Sequence, residues 1–177
     1  MTTLTEQELI TVNIKDEKTG TISKSEAHIL GILHRAFSIL IFDKEGKMLL
    51  QKRADQKYHS GGLWTNACCS HPRPNETTID AAHRRLQEEL GFNCPLTYLY
   101  KFQYFANLDN DMIEHEMDHI FMGIYDGAIN PDPAEVSSYT YMTLDDISSR
   151  IQQEPESFTI WFKIIFEHYL DHLNTNS

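Results

Sequence analysis

Residue type and spacing bear most directly on chemistry in the run Glu114-His115-Glu116-Met117-Asp118. On an extended chain Glu114 and Glu116 project to the same side, about 7 Å apart along the strand. Two carboxylates so placed repel unless a cation or a proton lies between them; the plain alternative is a solvated strand face. His28 and His34 precede the first long apolar run, and His71 follows an irregular loop that contains Gly61-Gly62. Each histidine alone reads as a surface or capping residue. With Glu114 and Glu116 they make a three-imidazole, two-carboxylate set of octahedral type. That set suits a borderline divalent ion such as Zn2+ or Mn2+, and is not the thiolate-rich shell of a structural zinc. Cys69 stands two residues before His71, and Cys68 adjoins it. Without a second CxxC or HxxxH partner the pair does not complete a zinc ribbon. A thiol here is either inert packing or a group able to exchange protons, and chemistry alone does not choose between Cys68 and Cys69.

These residues need elements to hold them. Ile10–Ile14 reads as a short strand, turned at Asp16–Gly20. Ala36–Phe42 and Met48–Lys52 are β-rich runs joined by the charged loop Asp43–Lys47, a hairpin pattern. The stretch holding Gly61-Gly62, Trp64, both adjacent cysteines, Pro72 and Pro74 reads as irregular. Thr77–Leu90 is the strongest helix: Ile79, Ala82, Leu86 and Leu90 recur on one face, and Gly91 sits where a glycine stops a helix. Tyr98–Ala106 and Glu114–Tyr125 read as long strands around the polar loop Asn107–Asp111, which makes Tyr104 a candidate cross-strand neighbour of the two glutamates. Tyr139–Met142 is a short strand. Thr143 and Asp146 resemble a capping box opening a helix to about Gln152, and Phe158–Leu173 is a last amphipathic helix. Strands, helix, strands, helix, helix is the order of an α+β or α-β-α sandwich, a mixed β-sheet with flanking helices.

The whole chain limits what the chemistry can serve. At 177 residues, with 41% hydrophobic and 23% charged, it is the size and composition of one globular domain spanning 1–177. Fifteen basic against 26 acidic residues give a net charge of −11, a poor basis for binding nucleic acid or an anionic membrane. An anionic substrate would need local cations or a bound metal. Met1–Glu8 carries no apolar leader pattern, and Phe37–Phe42, broken by Ser38, is far too short to span a bilayer. Three cysteines, an odd number, fit a reduced, cytoplasmic compartment.

Ser70–Phe92 carries a more specific pattern. Glu76, Arg84, Glu88, Glu89 and Gly91 stand at the positions of a Nudix box, the loop–helix–loop whose glutamates hold divalent cations on a diphosphate. Ser70 replaces the usual opening glycine, and Arg85 the glutamate after the box arginine. Arg85 is the i−4 neighbour of Glu89 on one helix edge. A hydrolase needs several carboxylates there for the metals that activate water; an arginine favours holding a diphosphate over cutting it. A merely salt-bridged, solvated helix face is the alternative for the helix by itself.

Over nearly its whole length the chain resembles the type 1 isopentenyl-diphosphate Δ-isomerases, which have a Nudix-related fold. The blocks that carry the likeness are Lys24…His28…His34-Arg35-Ala36-Phe37-Ser38, Lys52-Arg53-Ala54…Lys57, Thr65-Asn66-Ala67-Cys68-Cys69-Ser70-His71-Pro72, Arg84 to Gly91, Glu114 to Asp118 and Trp161-Phe162-Lys163. Ile160 departs from the proline that many relatives have before the tryptophan. The resemblance implies Cys69 and Glu116 as the catalytic acid/base pair, with Tyr104 hydrogen-bonded to Glu116. It implies His28, His34, His71, Glu114 and Glu116 as ligands of Zn2+ or Mn2+, with Mg2+ as a third candidate. Glu89 and a main-chain carbonyl near Cys69 would hold a Mg2+ riding on the substrate diphosphate. Lys24, Arg53, Lys57 and Arg85 would contact the diphosphate, and Trp161 would line the hydrocarbon pocket. The partner so implied is a small prenyl diphosphate, bound by a monomer or weak homodimer, with no nucleic acid or membrane involved.

Overall fold

A computed structural model describes residues 7–57 and 59–175; Met1 to Glu6, most of the segment read as lacking a leader, lies outside them. Nine strands and four α-helices are present among the described residues. The first two strands, β1 (Glu8–Val12) and β2 (Lys18–Ser23), pair antiparallel and lead into a seven-residue helix, α1 (Lys24–Leu30). Neither β2 nor α1 has an amphipathic pattern in the sequence. β2 buries none of its residues fully, and α1 buries only Ala27 and His28. Local capping holds α1: Ser23 accepts from the Glu26 amide, and Gly31 at φ 63° closes the other end.

β3 (His34–Phe42) is the central strand. It runs parallel to β8 (Ile113–Ile124) from His34↔Glu116 to Phe42↔Ile124. Its other edge is shared by β1 at Thr11↔His34, β6 (Cys68–Ser70) at Phe37–Ile39, and β4 (Met48–Arg53) at Phe42↔Met48. The expected hairpin between the two apolar runs is therefore paired at its turn only. β4 instead lies between β5 (Trp64–Asn66) and β9 (Val136–Met142). β7 (Leu96–Asn107) completes the sheet against β8. The stretch read as irregular thus contributes two three-residue strands, too short for an alternating pattern to register.

β3 is buried on both faces, which explains why it reads as a continuous apolar run. Phe37, Ile39 and Ile41 pack with Leu86 and Leu90 of α2 (Thr78–Leu90), while Leu40 and Phe42 pack with Phe162, Ile165 and Phe166 of α4 (Ile160–Thr175). α3 (Leu144–Gln153) joins the α4 side through Ile147. This is the expected mixed sheet between two helical layers. The helix ends follow the sequence: Thr77 and Thr143 accept from the amides three residues on, and Gly91 stops α2 at φ 71°. A side-chain carbon on Gly91 would run into the Asn130 carbonyl, so the loop after β8 seats on the end of α2 only because residue 91 lacks one.

Candidate active site

Strand alternation sorts the two adjacent cysteines. Cys68 faces the α2 layer and is fully buried among Phe37, Ile39 and Leu86. Cys69 faces the α4 side and lines a cavity of about 950 Å3. Cys69 sits opposite Ser38 in the β3–β6 pairing, and its Sγ lies 3.2 Å from Ser38 Oγ. The thiol donates to Asn66 Oδ1 at 3.0 Å, while Asn66 Nδ2 donates to the Ile39 and Cys68 carbonyls, which fixes which end of the amide faces the sulfur. Ser38 in turn donates to Asp118 at 2.8 Å. Burial, reinforced by Asp118, pushes the Cys69 thiol well above its ordinary value, so the resting group is a thiol.

β7 and β8 place the carboxylates. The register Tyr104↔Glu116 brings the tyrosine hydroxyl to 2.7 Å from Glu116 Oε2 and 3.0 Å from Glu114 Oε2. Burial and the charge of Glu116 push the Glu114 carboxyl well above the usual carboxylate range. Burial would also raise Glu116, but the His71 hydrogen bond and the nearby His34 ring override it and hold that carboxyl well below. The expected repulsion between two same-side carboxylates is met by a shared hydroxyl, and it favours the protonated form of Glu114.

Three imidazoles converge on Glu116. His71 Nε2 is 2.9 Å and His34 Nε2 3.5 Å from Glu116 Oε1, and the His28, His34 and His71 rings lie 5.0–5.9 Å apart. His28 Nδ1 is 2.7 Å from the Lys24 carbonyl and His34 Nδ1 2.7 Å from that of Ile32. These bonds set both rings with the far nitrogen inward. One ligand atom from each of His28, His34, His71 and Glu116 lies within 4.8 Å of the others. Buried His34 Nε2 and His71 Nδ1 have no hydrogen-bond partner. Burial holds His71 down to about 3 and lowers His28, which favours the neutral imidazole, the form that can bind a metal. The donor set and its orphaned nitrogens fit a divalent metal. Glu114 is not among the four converging residues; it is joined to them through Tyr104.

The side of the cavity expected to take a diphosphate is crowded with ion pairs. Arg84 grips Glu76 through two bonds of 2.7 and 2.8 Å. Arg85 pairs with Glu88 at 2.7 Å, Glu89 at 2.6 Å and Glu135 at 3.5 Å. Gln51 donates to the other Glu89 oxygen at 3.0 Å. Lys57 pairs with Glu135. Lys24, Arg53, Lys57, Arg85 and Glu89 all line the same cavity as Cys69, Glu114, Glu116, Tyr104 and Trp161. His34 is fully buried behind His71. Trp161 donates from Nε1 to Thr65 at 3.0 Å, and the Arg53 guanidinium lies 5.2 Å from its ring centre. Glu135 and His59 also line the cavity and carry no sequence signal, because each belongs to a loop outside any periodic element. Ser38 and Asn66 sit inside the resemblance blocks, yet only the strand register brings them to the sulfur.

The fold and its contents agree with known proteins. The NUDIX domain profile matches residues 32–162. A Pectobacterium atrosepticum protein named isopentenyl-diphosphate Delta-isomerase is 48% identical over 93% of this chain and 92% of its own length. The namesake from Serratia proteamaculans is 48% identical over 90% of this chain and 89% of its own. The chain belongs to the isopentenyl-diphosphate Delta-isomerase family. Among solved structures, a Deinococcus radiodurans protein superposes with a TM-score of 0.68 at 16% identity, over 84% of this chain and 90% of that one. A MutT protein from Methanosarcina mazei gives 0.64 at 18%, over 80% and 95%. These last two show the shared fold of this isomerase family member and nothing about its chemistry. No helix among the described residues is long and apolar enough to cross a membrane.

Proposed function

We propose that the chain interconverts isopentenyl and dimethylallyl diphosphate, moving a C=C bond by adding a proton to the terminal alkene carbon and removing one from the carbon on its other side. The observation that carries this reading is that Cys69 and Glu116 line one cavity with Trp161. One of the pair delivers a proton to the alkene, leaving a tertiary cation, and the other takes a proton from the neighbouring carbon, so no net proton is consumed. Asn66 and Ser38 aim the thiol, and Tyr104 holds the carboxyl. The Trp161 ring, anchored by Thr65, stabilises the cation by about 2 kcal/mol when water is excluded. His28, His34, His71 and Glu116, with Glu114 nearby, would hold Zn2+, Mn2+ or Mg2+, which when bound makes a carboxyl a stronger acid.

Lys24, Arg53, Lys57 and Arg85 take the diphosphate, with Glu89 carrying its Mg2+. Arg85 already spans Glu88 and Glu89, which favours gripping a diphosphate over activating water against it. We read the 1–177 chain as a single catalytic domain acting as a monomer or a weak homodimer. Its three free cysteines fit a reducing, cytoplasmic location. The test is incubation of metal-loaded protein with isopentenyl diphosphate in heavy water. Deuterium entering the isomerised product without phosphate release is expected, and Cys69→Ala or Glu116→Gln abolishes it. Phosphate released without migration of the double bond would overturn the proposal.

A further inference from the structure

His115, the middle residue of the Glu-His-Glu run, projects to the opposite side from its neighbours and takes no part in the cavity. Its Nδ1 lies 2.9 Å from the carbonyl of Gly31, the residue that closes α1, and its Nε2 lies 2.8 Å from Gln103 Nε2. The Gln103 amide nitrogen can only donate, so His115 Nε2 accepts, and the ring proton sits on Nδ1, aimed at Gly31. The ring is steadied edge-on by Phe105 at 5.5 Å.

The carbonyl it grips belongs to the short connection between two expected metal ligands. Gly31 lies three residues after His28 and three before His34. α1 has only seven residues, too few to be stable alone. Its own last apolar side chains do little to hold this end, since Ile29 and Leu30 are 64% and 62% exposed. What joins the α1 terminus to β8 is the His115 bond and the Ile113 side chain, which lies against Gly31 so closely that an added Cβ would be 3.2 Å away.

We propose that His115 is a positioning residue for the metal centre: by holding the Gly31 carbonyl it locks the α1–β3 connection, and with it His28, at the distance from Glu116 that a metal requires. The inference rests on the reading of His28, His34, His71 and Glu116 as ligands. The experiment is a titration of chelator-stripped protein with Zn2+ and with Mn2+ against a competing chelating dye, for the wild type and four variants. His115→Ala is expected to weaken metal binding about 10- to 100-fold, the range for partners that orient ligands. His115→Asn, whose amide nitrogen stands where Nδ1 does, is expected to bind as wild type. His115→Gln, whose amide nitrogen stands where Nε2 does, is expected to bind as weakly as His115→Ala.

Wild-type affinity in His115→Ala overturns the proposal, as does equal weakening in His115→Asn and His115→Gln. If His115→Ala does not fold, the Asn and Gln pair alone decides. His71→Ala separates this from the ligand assignment. Loss of metal there with full binding in the His115 variants refutes only the positioning role, and full binding in His71→Ala refutes the ligand assignment and the positioning role together.

Discussion

Tyr104→Phe is the most informative single change at the site, because it removes one oxygen and leaves the ring. Tyr104 is buried, and so are the two carboxylates it reaches, at 2.7 Å for Glu116 and 3.0 Å for Glu114. A hydrogen bond to a charged group contributes about 1.5–3 kcal/mol. Glu116 is only 6% exposed, so water does not readily replace the lost donor. If that bond is fully formed when the proton moves, and each 1.36 kcal/mol is tenfold in rate, kcat should fall roughly 10- to 150-fold. On the proposed grip of the diphosphate by Lys24, Arg53, Lys57 and Arg85, KM should change little. The assay is steady-state isomerisation of isopentenyl diphosphate by metal-matched wild type and variant, with deuterium uptake from heavy water as a second readout. A Tyr104→Phe protein with wild-type kcat and unaltered metal content would refute the argument that the hydroxyl acts on Glu116.

Further outcomes follow from the packing and the electrostatics. Gly91→Ala forces a side chain into φ 71° and against the Asn130 carbonyl; a cost of about 2 kcal/mol or more lowers Tm by roughly 4–8 °C, and an unchanged melting curve would contradict the reading of that junction. Ser38→Ala removes a neighbour of the thiol and leaves Asp118 buried with no donor at either oxygen; stability should drop by about 1–3 kcal/mol, and kcat should fall with KM held. In metal-free protein, His59 and His71 are held down to about 3 by burial, below the unfolded value of about 6.5, so the unfolded chain binds more protons in acid and their stabilising contribution is lost as pH falls below that value. Burial raises Glu114 and Asp118 instead, so their contribution is present in acid and is lost as pH rises. Between about pH 5 and 6 the two pairs offset one another, and above about 6.5 only the loss remains; denaturant unfolding that shows stability rising steadily from pH 6.5 to pH 8 would refute these assignments.

Where burial follows a repeating pattern, the sequence is legible. α2, the long strands of the β7–β8 hairpin and the capped start of α3 all stand within a few residues of their expected places, because alternation or a helical stripe reports the buried face directly. β2 and α1 were not legible, since one is a strand with no fully buried residue and the other a single capped turn or two with one apolar residue inside. The residues of the site were legible as types and as a resemblance, but not as an arrangement. Alternation on β6, a three-residue strand inside an irregular stretch, is what separates Cys69 from Cys68. Of the five expected ligands, four bring donor atoms within 4.8 Å of one another, and Glu114 is tied to Glu116 through the Tyr104 hydroxyl, an arrangement that spacing does not express. Glu135 reaches Lys57 and Arg85 from a connection with no pattern at all.

β3 carries His34 opposite Glu116 on one edge and Ser38 opposite Cys69 on the other. Carboxyl and thiol are therefore ruled off along a single ribbon of the innermost backbone, four residues apart in register. Whatever yields to admit or release a five-carbon chain has to be a wall that does not belong to that ribbon, such as the α4 segment bearing Trp161.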